Sequence, residues 1–256
     1  PPIDESFRHD LDGNLTQEGR FDYVWDGENR LIRATTRMDR GTPGVYDNDD
    51  RKVECVYDYM SRRVRKTTYT WSGGWVEDAD GDQLFVYDRW NVVLVLNANA
   101  GNDTLRKYTW GLDLSGWMGA PGVAGIHGAG GIGGLLAAEE TATAGAPKYW
   151  FFCDGNGNVT QILDPNDFWP EPTAHYEYDP YGNLIRALDV DGSGYVNTNL
   201  FRFSTKWWDT ETGQYYYGYR YYDPRLGRWT SEDPLEEEDG YNLHRFLLNS
   251  PVDYYD

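Results

Sequence analysis

The stretch YEYDPYGNLIRAL, residues 176–188, dictates a local structure by itself. Tyr176 and Tyr178 alternate with a charged residue, and Asp179-Pro180-Tyr181-Gly182 has the chemistry of a type I turn. An apolar run follows, so the stretch reads as strand, turn, strand. The same pattern recurs along the chain. Related segments lie at Asp10 (DLDGNLT), Asp26 (WDGENRLIRAT), Asp58 (YDYMSRRVRKT), Asp88 (YDRWNVVLVLN) and Asp154 (CDGNGNVTQIL). YYDPRLGRWTS around Asp223 is a variant whose turn is one residue longer. Three residues after the Asp stands Gly or a substitute: Gly13, Asn29, Ser61, Asn91, Gly157 or Gly182. The aspartates are 16, 32, 30, 66, 25 and 44 residues apart, a variable period around a constant core. Such a pattern predicts an array of hairpins joined by loops of different length, each burying a face against its neighbours.

A β-rich array needs large side chains that suit a pleated surface, and 21 Tyr and 11 Trp supply them. The 29 glycines suit many turns. No segment predicts a long amphipathic helix; LLAAEETATA at 135–144 is read as a short one at most. The first residue already lies within the repeat pattern and no capping segment closes it, so the chain is expected to be a piece of a longer one.

The net charge of −19 argues against nucleic acid, whose phosphates need clustered Lys and Arg, and against anionic membrane surfaces. No apolar run is long enough for a membrane-spanning helix. Cys55 and Cys153 occupy aromatic strand positions and are read as buried free thiols, with a mutual disulfide as the alternative. The histidines at 9, 127, 175 and 244 show no ligand spacing.

Two segments invite a ligand. Residues 111–140 are rich in glycine, but no Gly-Lys-Ser or Gly-Lys-Thr follows. The segment is read instead as a crossing where backbones approach closely. In DVDGSGYVN, Asp189, Asp191 and Ser193 hold positions 1, 3 and 5 of a calcium-loop pattern, with Gly194 at 6 and Asn197 at 9. Position 12 is Leu200 rather than Glu, which predicts weak calcium binding or none. YDNDDRK (46–52) and EDADGD (77–82) are read as solvated loops. No cofactor is expected, and calcium is the single metal the sequence admits.

The run from Trp208 to Asp256, including DTETGQYYYGYRYYDPRLGRW, EDP and GYNLHRFLLNSPVDYYD, strongly resembles the core domain that closes Rhs and YD-repeat proteins. The upstream YD turns, WGLDLSG and DGNGNVTQ, resemble repeats of the same family. The resemblance spans essentially the whole chain. It implies an all-β fold in which an antiparallel sheet of hairpins spirals into a shell or tube, with a C-terminal core domain as plug. The corresponding division is YD repeats over 1–110, a Gly-rich crossing over 111–148, further repeats over 149–200 and the core domain over 201–256.

The resemblance also implies a secreted or cell-surface protein that encloses a variable, toxin-like polypeptide. Partners are then the remaining repeats of a longer chain and that C-terminal polypeptide. Many family members cut themselves through a pair of carboxylates sharing one proton. Asp233 matches the family's acidic Asp-Pro motif, Asp256 falls where its terminal motif begins, and Asp239 and Asp253 are candidate partners. Arg228 is a candidate to stabilise a carboxylate. The chain departs from the family pattern by carrying Glu236 where Gly is usual. A cargo-free adhesin or filament subunit is the competing reading, in which the aromatic surface meets glycans or other copies of the chain.

Overall fold

The computed structural model describes residues 7–38, 46–114, 116, 131–141, 145–166 and 172–254. Among these, fourteen strands form one antiparallel sheet in which spatial order equals chain order. It opens with β1 (Arg8–His9), β2 (Leu15–Gln17), β3 (Phe21–Trp25) and β4 (Leu31–Thr36). β5 (Arg51–Tyr57), β6 (Arg63–Trp71), β7 (Trp75–Asp88), β8 (Asn91–Asn97) and β9 (Asp103–Trp110) follow. β10 (Leu135–Glu140), β11 (Lys148–Cys153), β12 (Val159–Leu163), β13 (Pro172–Tyr178) and β14 (Leu184–Asp189) complete it. The chain then leaves the sheet through a short helix, α1 (Tyr195–Thr198). A second, four-stranded sheet comprises β15 (Trp207–Asp209), β16 (Gln214–Tyr216), β17 (Tyr221–Asp223) and β18 (Arg228–Trp229).

The repeated aspartate builds each turn with its own carboxylate. At Asp26, Oδ1 accepts the Glu28 and Arg30 amides at 2.9 and 3.0 Å, and Oδ2 accepts Arg30 Nε at 2.8 Å. The Asn29 amide donates to the Asp26 carbonyl at 3.1 Å, with Asn29 at φ 58°. Asp10, Asp58, Asp154 and Asp179 repeat the arrangement, with Asn14, Arg62, Asn158 and Asn183 closing on Oδ2. The left-handed residue is Gly13, Ser61, Gly157 or Gly182 in turn, where Gly and Asn are favoured.

Asp88 departs from this plan. Its hairpin is one residue shorter, Asp88 pairs directly with Asn91, and the left-handed residue is Arg89. Asn91 therefore does not take the glycine-like role expected of it. The fourth residue after Asp88 is Val92, whose side chain has no donor to close on the carboxylate.

Register follows from these turns. The residue before each Asp pairs with the fifth after it, as in Trp25 with Leu31, Tyr57 with Arg63 and Tyr178 with Leu184. Between hairpins, the seventh residue after one Asp pairs with the fourth before the next. The pairs Gln17 with Asp22, Arg33 with Glu54, Arg65 with Leu84 and Gln161 with His175 all obey this rule.

The aromatic residue preceding the Asp clasps one hairpin to the previous one. Trp25 Nε1 donates to the Leu15 carbonyl, and the Tyr57 hydroxyl to that of Leu31, both at 2.8 Å. Tyr87 reaches Arg63 and Trp110 reaches Val92 at the same distance, and Tyr178 reaches Val159 at 2.9 Å. Each clasp satisfies a backbone carbonyl that would otherwise sit against an apolar core. Loop length between hairpins does not enter, which is why the period of the repeat is free to vary.

The inward face of the sheet is filled by the chain's own C-terminal part. One apolar cluster joins Leu15, Phe21, Tyr23, Phe85, Val95, Tyr108, Phe151, Ile162 and Tyr176 of the long sheet to Tyr195, Phe201, Trp207, Tyr216 and Tyr221. A second cluster holds Phe203, Tyr215, Tyr217, Tyr222, Trp229 and Phe246 within the core domain.

Several expectations are corrected. LLAAEE is not helical; it is strand β10, paired on both sides with β9 and β11. The 111–148 segment therefore does not interrupt the array. Gly111 occupies the turn aspartate's place after Trp110, and the hairpin carries an insertion. EDADGD is not a solvated loop but part of β7, where Asp82 pairs with Arg65 and Asp78 accepts the Thr68 and Thr70 hydroxyls at 2.7 Å. Strand alternation puts Tyr215, Tyr217, Tyr219 and Tyr221 on one face, but the run bends at Gly218 and divides them. Tyr215 and Tyr217 enter one core and Tyr221 the other, whereas Tyr219 is half-buried against Trp90, with ring centroids 4.6 Å apart.

Candidate functional site

The calcium-loop residues are engaged by their own backbone. Both Asp189 carboxylate oxygens accept the Gly194 amide at 3.1 Å, and Asp191 Oδ1 accepts that of Ser193 at 2.9 Å. Ser193 Oγ accepts the Tyr195 amide at 3.2 Å, and Asn197 lies in α1, its amide bonded to the Gly194 carbonyl. The loop thus folds as a turn that starts the helix. Among the described residues, no group of three or more His, Cys, Asp or Glu is arranged to hold a metal.

The carboxylates expected to act as a pair are not brought together. Asp233 Oδ2 lies 2.7 Å from Arg220, whose guanidinium stacks 4.1 Å above the Trp229 ring. Asp233 Oδ1 accepts the Leu235 amide at 2.9 Å, and its carbonyl accepts that of Glu236. Glu236 takes the left-handed position at φ 55°, so this Asp-Pro turn has the repeat's geometry without its glycine. Asp253 accepts the Ser250 hydroxyl at 2.6 Å in a separate turn. No hydrogen bond joins Asp233 and Asp253. Asp256 lies outside the described residues, as does the side chain of Asp239, whose backbone closes a short 3-10 turn. Arg228 lies in β18 beside the His9–His244 pair rather than at Asp233.

A charged site that sequence reasoning missed lies between the long sheet and the core domain. Arg63 and Lys66 of β6 both meet Asp209 of β15, with Lys66 Nζ 2.8 Å from Asp209 and 2.7 Å from Glu211. Arg63, Lys66 and Asp209 are each at most 4% exposed. Burial alone would raise the Asp209 carboxyl, but Arg63 and Lys66 outweigh it and hold it below its ordinary value. The guanidinium of Arg63 also donates to the Tyr221 hydroxyl at 3.0 Å and lies over the Tyr216 ring. Tyr221 in turn faces the Tyr57 hydroxyl at 3.2 Å and the Cys55 thiol at 3.7 Å. Cys55 and Cys153 are both free. The sequence signal was faint: Asp209, in WWDTETG, resembles the turn aspartates, and only the fold brings it to β6.

An open cleft of about 500 Å³ lies between the turns at Asp154 and Asp179 and the segment that includes Leu247, Val252 and Tyr254. Its walls mix carboxylates and amides with these exposed apolar side chains. No helix among the described residues is long and apolar enough to cross a membrane.

Hairpins clasped by an aromatic-aspartate pair, wound around a C-terminal core, define a shell protein of the Rhs/YD-repeat type. The comparisons with known proteins agree. The chain is 28% identical over 253 residues to the tRNA3(Ser)-specific nuclease WapA of Bacillus spizizenii, covering 97% of this chain and 9% of that protein. Toxin subunit YenC2 of Yersinia entomophaga is 51% identical over 78 residues, 30% of this chain and 8% of the subunit. Among solved structures, the Photorhabdus luminescens Tc holotoxin pore aligns with 97% of this chain and 10% of its own, at TM-score 0.67 and 21% identity. No family model matches. The chain spans less than a tenth of the length of these curated relatives.

Proposed function

We propose that this chain forms wall and inner plug of a secreted shell that encloses a polypeptide continuing from its C-terminal side. The observation that carries the reading is the filling of the sheet's inward face by residues 195–221 of the same chain. A core domain held inside its own sheet is suited to divide an interior from an exit. The toxin and nuclease names of the relatives support the same reading, as analogy. Self-cleavage is a subordinate part of it and rests on Asp233, with Asp239, Asp253 or Asp256 as second carboxylate.

The test is a chain extended past residue 256 by a reporter polypeptide, made as wild type and as Asp233→Asn. The shell reading expects the reporter to resist protease until the protein is denatured; digestion at the rate of the free reporter would overturn it. On a denaturing gel, self-cleavage expects two fragments from wild type and one band from Asp233→Asn. Equal cutting of both would leave Asp233 as the turn and ion-pair residue described above.

A further inference from the structure

The register rule that joins successive hairpins leaves one position unfilled. β14 is the last strand of the long sheet and pairs only with β13. Every β14 residue is exposed except half-buried Leu188, and Ile185, at the bulge, is 67% exposed. In every earlier hairpin of the plan, the carbonyl of the fifth residue after the Asp is reached by the next hairpin's aromatic or by its structural counterpart. Leu184 is that residue after Asp179, and no following repeat among the described residues supplies a donor. An exposed strand of this length, with Leu184 and Ile185 uncovered, is a template for strand addition.

The opposite edge of the sheet has the complementary form. β1 pairs only with β2 and ends at Asp10, so it is the strand that precedes a turn aspartate, the type that follows every even-numbered strand in the array. The rule seen at Gln17–Asp22, Arg33–Glu54 and Gln161–His175 sets its register on β14. Phe7 then falls opposite Ile185 and Arg8 opposite Leu184. Phe7 is 46% exposed, so the pairing would cover two apolar side chains now in water. His9, in the place of the clasping aromatic, carries a ring N–H able to donate to the Leu184 carbonyl.

We propose that β14 is an acceptor edge for β1 of a second copy of this chain, which continues the sheet head to tail with the register of the internal repeats. The contact is heterologous, so it propagates rather than closing in a pair. Because each copy carries a charge of −19, added salt should strengthen the association by screening their repulsion.

The test uses Phe7→Cys and Ile185→Cys, prepared separately in the 256-residue chain, then mixed and oxidised beside the unmodified chain as control. The expected result is a disulfide-linked dimer in the mixture and in neither variant alone, with a ladder of multiples from the double variant. Dimers of Phe7→Cys alone or of Ile185→Cys alone would show like edges meeting and overturn the proposal, as would a mixture that stays monomeric. Sedimentation supplies the second readout: the unmodified chain should gain mass with concentration, more at high salt, and Ile185→Lys should remove that gain. Unchanged growth in Ile185→Lys would place the contact elsewhere. The outcome is independent of whether a polypeptide is enclosed.

Discussion

At Asp209 the cost of an isolated charge sets the strength of the contact. Two cations from β6 converge on this one carboxylate in a water-free layer, so neither Arg63 nor Lys66 has solvent to fall back on. Asp209→Ala leaves both cations short of a counter-charge, and the expected loss is about 3–5 kcal/mol by denaturant unfolding. Replacing the charges together, as Arg63→Met with Asp209→Leu, should recover much of that loss, because desolvation of the ions disappears with them. A double variant no more stable than Asp209→Ala would show that shape, not charge, holds the core domain to the sheet. Nothing in the local sequence marks Arg63, which sits in the alternating run RRVRKTT where its neighbours point outward. Its partner is 146 residues away, and only the folded sheet brings them together.

The single hairpin is where the sequence was most legible. Asp, a left-handed residue three positions on and an alternating strand on either side are local chemistry, and turns form at Asp26, Asp58, Asp154 and Asp179 as that chemistry requires. What the motif did not announce was the closing side chain at the fourth position, Asn or Arg, whose absence at Val92 separates the Asp88 hairpin from the rest. The bend at Gly218 was illegible for a related reason: a YYYGYRYY run is as compatible with one long strand as with two short ones. Packing also decides what a turn glycine must be. A Cβ on Gly182 would lie 2.6 Å from the Phe203 ring, on a backbone at φ 84°. Gly27 has nothing within 4 Å and ordinary φ. Gly182→Ala should therefore cost more than about 2 kcal/mol, from strain and overlap together, while Gly27→Ala should stay within about 0.5 kcal/mol. Equal melting temperatures for the two variants would mean that the turn yields without disturbing the core beneath it.

Over the whole molecule, the first strand and the last domain meet, and the meeting point is basic. His9 of β1 and His244 of the core domain stand edge to face with ring centroids 5.8 Å apart. His244 Nδ1 is 3.3 Å from the Trp229 carbonyl. Desolvation and then Arg228 lower both imidazoles below their ordinary value of 6.5, with Asp10 opposing the shift at His9 and the Trp229 carbonyl opposing it at His244. Arg220 adds to the positive field at His244. A base whose folded-state value is depressed is neutral in both states at high pH, so its contribution is intact above 6.5. As pH falls through 6.5 the unfolded chain takes up protons first, and stability drops until the folded imidazoles are protonated too. The turn carboxylates behave in the opposite chemical sense within a lower window. For Asp26 and Asp58, burial is outweighed by hydrogen bonds from Arg30 and Arg62, so their contribution is present above about pH 4 and lost below it. Acidification should therefore weaken the fold in two stages. His244→Gln, which keeps a polar side chain without a titrating one, should flatten the upper stage in urea titrations between pH 7 and 5 and leave the lower stage in place. An upper stage undiminished in His244→Gln would assign the loss to other groups and remove the histidine pair from the acid response.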